Sequence, residues 1–218
     1  MASCATTSKL PQVQNNQEIQ LNKTLDLRRQ DWLLPEGAKL VCTKKGGVKN
    51  GRVLGRNASV VNVTVEFVHF SGSFRELDIQ LMNDVDSLCY DVSAIGSLNV
   101  QSNGHVVSST SFGTLRNTDI CFKEVVFDCE RSTSPFLYVI GNGQNAFSVE
   151  GCRFINISEI ELLKPRNMLN PVVRGCEFCG LLREGGRTKE PYSECLLEKE
   201  VEEWADVGGT EGVVLRAL

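Results

Sequence analysis

Asn145-Ala-Phe-Ser-Val-Glu-Gly-Cys-Arg-Phe-Ile-Asn-Ile-Ser158 carries a pattern that returns twice elsewhere in the chain. Upstream it is echoed by Ile120-Cys-Phe-Lys-Glu-Val-Val-Phe-Asp-Cys129, downstream by Pro171-Val-Val-Arg-Gly-Cys-Glu-Phe-Cys-Gly180. Aligned on phenylalanine, the units step 27 residues from Phe127 to Phe154 and 24 from Phe154 to Phe178. A self-similar unit of this length, built of β-formers, predicts a rung of a β-solenoid. Alternation along a strand then turns Cys152 and Phe154 inward and Arg153 outward. The same register puts Cys176 and Phe178 inside with Glu177 outside, and Val125 and Phe127 inside with Val126 outside. Each stacked phenylalanine buries about 150–250 Å², an area that one rung alone cannot cover.

Outward from these units, turns come often. Residues 1–16 are polar and aperiodic and read as a flexible lead-in. Ile19, Leu21, Leu25 and Leu27 form two short alternating sets around Asn22-Lys23, and Pro35-Glu-Gly37 turns the chain before a strand at 38–43. Asn50-Gly51 and Gly55 interrupt the next segment. Val61, Val63, Val65 and Phe67 alternate with Asn62, Thr64 and Glu66, which predicts one face of a strand. Further strands are predicted over 77–82, 97–101, 105–107 and 136–140. After Leu181 the composition becomes charged, and Ser193–Ala205 has the spacing of a short amphipathic helix stopped at Gly208-Gly209. The reading is an all-β chain, a single-stranded right-handed parallel β-helix over 17–182. Residues 183–218 follow as a charged loop and a helical cap or tail.

The stretch Leu25-Asp-Leu27, Leu34-Pro-Glu-Gly-Ala-Lys-Leu40 and Gly46-Gly-Val-Lys-Asn-Gly-Arg-Val-Leu-Gly-Arg-Asn57, with the later Gly-Cys-x-Phe units, resembles right-handed parallel β-helix proteins of the pectin-lyase-like type. It is most similar to their surface and phage tail-spike-like members. The resemblance covers about residues 18–180 and includes no active-site motif of that family. It implies a carbohydrate context, with carboxylates, lysines and arginines on outer faces as the groups such lyases use. It also implies a cell-surface, secreted or virion location, although Met1–Lys9 has no secretory signal pattern. A homo-oligomer, a trimer included, is compatible with it.

Composition narrows the function classes. The net charge of −4 offers no basic stripe, so nucleic acid is not an expected partner. No apolar run is long enough to cross a bilayer as a helix, so no membrane span is predicted. Nine cysteines without framework spacing and without a signal sequence read as reduced thiols, several of them small buried hydrophobes. Cys176-Glu-Phe-Cys179 is a C-x-x-C, but a structural metal site needs four ligands and only His69 and His105 could add to it. No metal or cofactor is predicted.

Paired carboxylates are the remaining chemistry. Asp84 and Asp86, and likewise Asp128 and Glu130, stand two residues apart, so a strand aims each pair to one side. Arg131, Arg153 and Glu177 join Asp128 as candidates for an exposed cross-rung binding cluster, against the plainer reading of solvated outward charges. Three readings stay open: a non-catalytic module presenting a flat polar face to a polysaccharide or partner protein, a polysaccharide lyase or glycoside hydrolase, and a piece of a longer tail-spike or adhesin.

Overall fold

A computed structural model describes residues 9–43, 46–86, 88–108, 112–129, 137–157 and 163–180, with short pieces at 183–184, 187–188 and 195–196. The chain is all-β, a right-handed parallel β-solenoid of about six turns. The first strands are β1 (Glu18–Leu21), β2 (Thr24–Asp26), β3 (Asp31–Leu34) and β4 (Lys39–Cys42), followed by the long ladder β5 (Gly47–Leu81), β6 (Val85–Asp86) and β7 (Cys89–Gln101). Then come β8 (Val106–Ser108), β9 (Gly113–Arg116), β10 (Asp119–Lys123), β11 (Val126–Asp128) and β12 (Leu137–Ile140). The last turns are β13 (Ala146–Glu150), β14 (Arg153–Ile157), β15 (Leu163–Arg166), β16 (Leu169–Arg174) and β17 (Glu177–Gly180). One face stacks β1, β4, β5, β7, β10, β13 and β16, a second stacks β6, β8, β11, β14 and β17, and a third stacks β9, β12 and β15. Pairing between successive turns is parallel throughout these stacks.

The predicted phenylalanine column is present at Phe127 and Phe154, and the backbone of Phe178 continues it in register. Phe127 pairs in register with Phe154, and Phe154 with Phe178. The rings of Phe127 and Phe154 stack with centroids 5.2 Å apart and planes 24° from parallel. Phe122 lies 5.2 Å from Phe127, and Phe112 closes the group at 5.4 Å from Phe122. Val125 and Cys152 are buried with them, as alternation requires, and Cys176 sits one turn beyond Cys152. Val126 faces away from this core yet is only 9% exposed, so its outer side is covered as well.

The strict alternation expected over 61–67 is corrected by the structure. Ala58 and Val60, Val63 and Val65, and Val68 and Phe70 are the buried pairs, while Phe67 is 54% exposed. Asn57, Asn62, Phe67 and Gly72 all have positive φ, one every fifth residue. Each left-handed residue turns the chain through a corner and resets the alternation, so four residues form a side and the fifth an outward corner. The next turn secures these corners. The backbone N–H groups of Asn57, Asn62 and Phe67 donate to Ser73 Oγ, Asp78 Oδ2 and Asn83 Oδ1, each 16 residues ahead, at 2.8, 3.1 and 2.9 Å.

At the N-terminal end, Leu10 and Val13 pack against the core, and Trp32 Nε1 donates to Pro11 O at 2.8 Å. Trp32 is 2% exposed and cannot serve as a surface platform. Residues 1–8 and nearly all of the helix expected at 193–205 lie outside the described residues. The two residues of that helix that are described, Cys195–Leu196, form a short strand that pairs antiparallel with β17. No helix among the described residues is long and apolar enough to cross a membrane.

Candidate functional site

Asp84 and Asp86 part company. Asp84 precedes β6; its Oδ1 accepts the Val106 N–H at 2.8 Å and lies 3.5 Å from His105 Nδ1, one turn on. Asp86 instead lines a surface cleft with His69. Asp128 pairs in register with Ile155, and its Oδ1 accepts Asn156 Nδ2 at 2.9 Å. Arg153 has Val126 and Glu177 as strand neighbours, and its Nε meets Glu177 Oε2 at 2.6 Å. The Arg153–Glu177 pair therefore forms across turns, and Asp128 stands two residues along from it. Glu130 and Arg131 lie outside the described residues.

Four of the cysteines are core material. Cys42, Cys129, Cys152 and Cys176 are buried free thiols. Burial pushes Cys42 up to about 11 and Cys129 to about 12, so both stay protonated at neutral pH. Hydrogen bonding to Cys176, with burial second, raises Cys152. Among the described residues no three His, Cys, Asp or Glu side chains converge as metal ligands.

The cleft holds about 890 Å³ and draws its walls from four successive turns: Arg29 and Asp31, then Asn50, Gly51 and Arg52, then Phe67 and His69, then Asp86. Two columns build it. Arg29, Asn50 and Phe67 are corner residues with φ of 64°, 58° and 53°. The Arg29 N–H donates to Asn50 O at 2.6 Å. Asn50 also reaches back through Nδ2 to Asp26 Oδ1 at 3.2 Å, which ties the corner down. Beside it run outward-facing residues of the adjoining side. Asp31 and Arg52 are register partners joined by two hydrogen bonds, Nε to Oδ1 at 3.1 Å and Nη2 to Oδ2 at 2.6 Å. Those bonds hold the Asp31 carboxyl below the usual carboxylate range.

The floor is bare backbone at Gly51. A Cβ there would fall 2.5 Å from Leu27 Cβ and 2.6 Å from Gln30 O, so no other residue fits without moving the turn. Phe67 is the outlier. Of twelve non-glycine residues with positive φ among the described residues, eight are asparagine, which tolerates that region. The other four are Arg28, Arg29, Phe67 and Glu124, and two of them line this cleft. A bulky ring held left-handed and open to solvent costs on the order of 1–3 kcal/mol, and such strain gathers at ligand sites. Chemically, the site offers one exposed aromatic face beside planar hydrogen-bonding groups of both donor and acceptor type.

Of this cleft, sequence reading singled out only Asp86 as a site residue. Arg29 and Asp31, Arg52, and Phe67 and His69 come from three different turns and share no local motif. No protein-family model matches the chain, and no curated protein and no solved structure matches it.

Proposed function

We propose that this chain is a non-catalytic β-solenoid module, at a cell or virion surface, whose cleft binds a polysaccharide. The observation that carries the reading is Phe67, a left-handed phenylalanine exposed in a cleft whose other walls are planar polar side chains. An aromatic face flanked by a few directed hydrogen-bonding groups is the usual composition of a small-ligand site. The ring offers a surface for the C–H face of a sugar, and Arg29, Asn50 and Asp86 offer partners for hydroxyls. The resemblance of residues 18–180 to pectin-lyase-like β-helix proteins points to the same class of ligand and to tail-spike-like or adhesin-like settings.

A second reading, glycoside hydrolase or polysaccharide lyase, is favoured by one feature: two carboxylates, Asp31 and Asp86, border the same cleft. Asp31 is already committed to Arg52 by paired hydrogen bonds, which suits orientation better than proton transfer. A glycan array on the purified chain, coupled to assays for new reducing ends and for unsaturated products, tests both. Binding without product is expected, and Phe67→Ala abolishes it. Product formation that disappears in Asp86→Ala selects the enzyme, and retention of no glycan overturns the proposal.

A further inference from the structure

We infer that the cleft is matched to an uncharged, linear polysaccharide lying parallel to the solenoid axis, with one sugar ring stacked on Phe67. The inference rests on the polysaccharide reading above and narrows it. Direction comes first. The lining residues belong to four successive turns, so three inter-turn steps of about 4.8 Å give the site a length of roughly 14 Å along the axis. Across the axis, by contrast, the walls are one corner column and one outward column wide. A chain that fills this shape runs across the strands, and each turn meets a successive part of it.

Charge comes second. Arg29 and Arg52 face Asp31 and Asp86, two charges of each sign. Arg52 is matched at 2.6 and 3.1 Å by Asp31, which leaves Arg29 and Asp86, one cation and one anion. A chain bearing a carboxylate on every sugar would meet Asp86 wherever it met Arg29, whereas hydroxyls satisfy both groups, as donors to Asp86 and acceptors from Arg29.

The platform itself comes third. The left-handed backbone at Phe67 is held by Asn83, whose Oδ1 accepts the Phe67 N–H at 2.9 Å from one turn further on. Asn83 is therefore a positioning residue for the ring. Stacking of this kind selects sugars with a flat C–H face, the property of gluco-configured pyranosides joined equatorially.

Calorimetric titration of the full chain with β-1,4-linked glucose oligomers of one to six units, and with uronate oligomers of the same lengths, tests the inference. Affinity for the neutral series is expected to rise at least tenfold between two and four units and then level off. It should change less than twofold between low and high salt. Phe67→Ala should lose tenfold or more, Phe67→Trp should retain binding, and Asn83→Ala should weaken it while Asn83→Asp, which keeps the acceptor for the Phe67 N–H, restores it. Uronate oligomers binding tenfold more tightly, with affinity falling as salt rises, would overturn this inference and leave the polysaccharide reading standing. Retention of neither series, nor of any glycan on the array, overturns both.

Discussion

The turns of β5 and the turns around Phe127 and Phe154 are the same solenoid built at two sizes. In β5 the corners bond to groups 16 residues ahead, and the interior runs from the small Ala58, Val60, Val63, Val65 and Val68 to the edge-to-face pair Phe70 and Phe74 near its end. Between β11 and β14 one turn runs all the way from Phe127 to its register partner Phe154, and the interior holds Phe112, Phe122, Phe127, Phe147 and Phe154. A longer circumference encloses more volume, and close packing demands side chains that fill it. Corners differ too. Asparagine bends both sizes, at Asn57 and Asn62 in the small turns and at Asn117, Asn156 and Asn167 in the large ones, but the large turns add the column Gly104, Glu124, Gly151 and Gly175, linked by the bonds of Gly104 N to Glu124 O, Glu124 N to Glu150 O and Gly151 N to Arg174 O. Turn length thus sets how many rings the core gathers, and the large turns carry an extra glycine-rich corner column.

The most severe test of that contrast is Phe154→Asp, which places a carboxylate at a fully buried position between stacked rings. It should abolish cooperative unfolding, and a retained melting transition would contradict the stacked core. Phe154→Ala should cost about 3–5 kcal/mol, while Val65→Ala in a small turn should cost about 2 kcal/mol. The reverse exchange sharpens the comparison. Val65→Phe overfills a small turn and should cost about 3 kcal/mol, but Val149→Phe, inside a large one, should cost less than half as much. Equal costs in urea denaturation would mean that turn size does not govern packing.

Corner chemistry gives a smaller effect of opposite sign. Glu124 is the one non-glycine in its column and has φ of 55°. Glu124→Gly should raise stability by about 0.5–1 kcal/mol, since relief of left-handed strain exceeds the added chain entropy. Asn62→Gly should not, because asparagine tolerates the conformation and its Nδ2 donates to Cys42 O. A loss of stability in Glu124→Gly would assign that side chain a contact stronger than its strain.

How much of this was open to a reading of residues alone depended on turn size. In the large turns two rungs repeat Gly-Cys-x-Phe at 151–154 and 175–178, and alternation between one bend and the next is long enough to set the inward face. In the small turns the same logic failed at Phe67. Alternation from Val61 assumes an extended backbone throughout, and a left-handed residue every fifth position reverses the facing. The signal was the spacing of Asn57 and Asn62 with Val-Thr-Val following. The cleft was hidden for a related reason. Asp86 drew notice through its near neighbour Asp84, while its companion in the cleft is His69, one full turn back. Only the length of a turn says which residues meet on the outer face, and that length differs between the β5 turns and the turn from Phe127 to Phe154.

The smallest effect is electrostatic and probes the outer faces, where both sizes of turn use the same device. Asp31–Arg52 in the early turns and Glu150–Arg174 in the late ones each join residues one turn apart, at 2.6 and 2.7 Å. Arg52 lowers Asp31 chiefly by hydrogen bonding, and Arg174 lowers Glu150 in the same way. A carboxyl whose folded value lies below its unfolded one stabilises the fold above the unfolded value and ceases to do so as pH falls through the folded value. The contribution is therefore intact above the ordinary values of 3.8 and 4.5 and disappears in acid below them. Both pairs are exposed, so water and salt screen them. The double variant Asp31→Asn, Glu150→Gln should melt slightly below the parent at pH 7 and level with it well below pH 3.8, the gap at pH 7 closing as salt is raised. A gap that persists in strong acid would show that these side chains act through packing between turns rather than through charge.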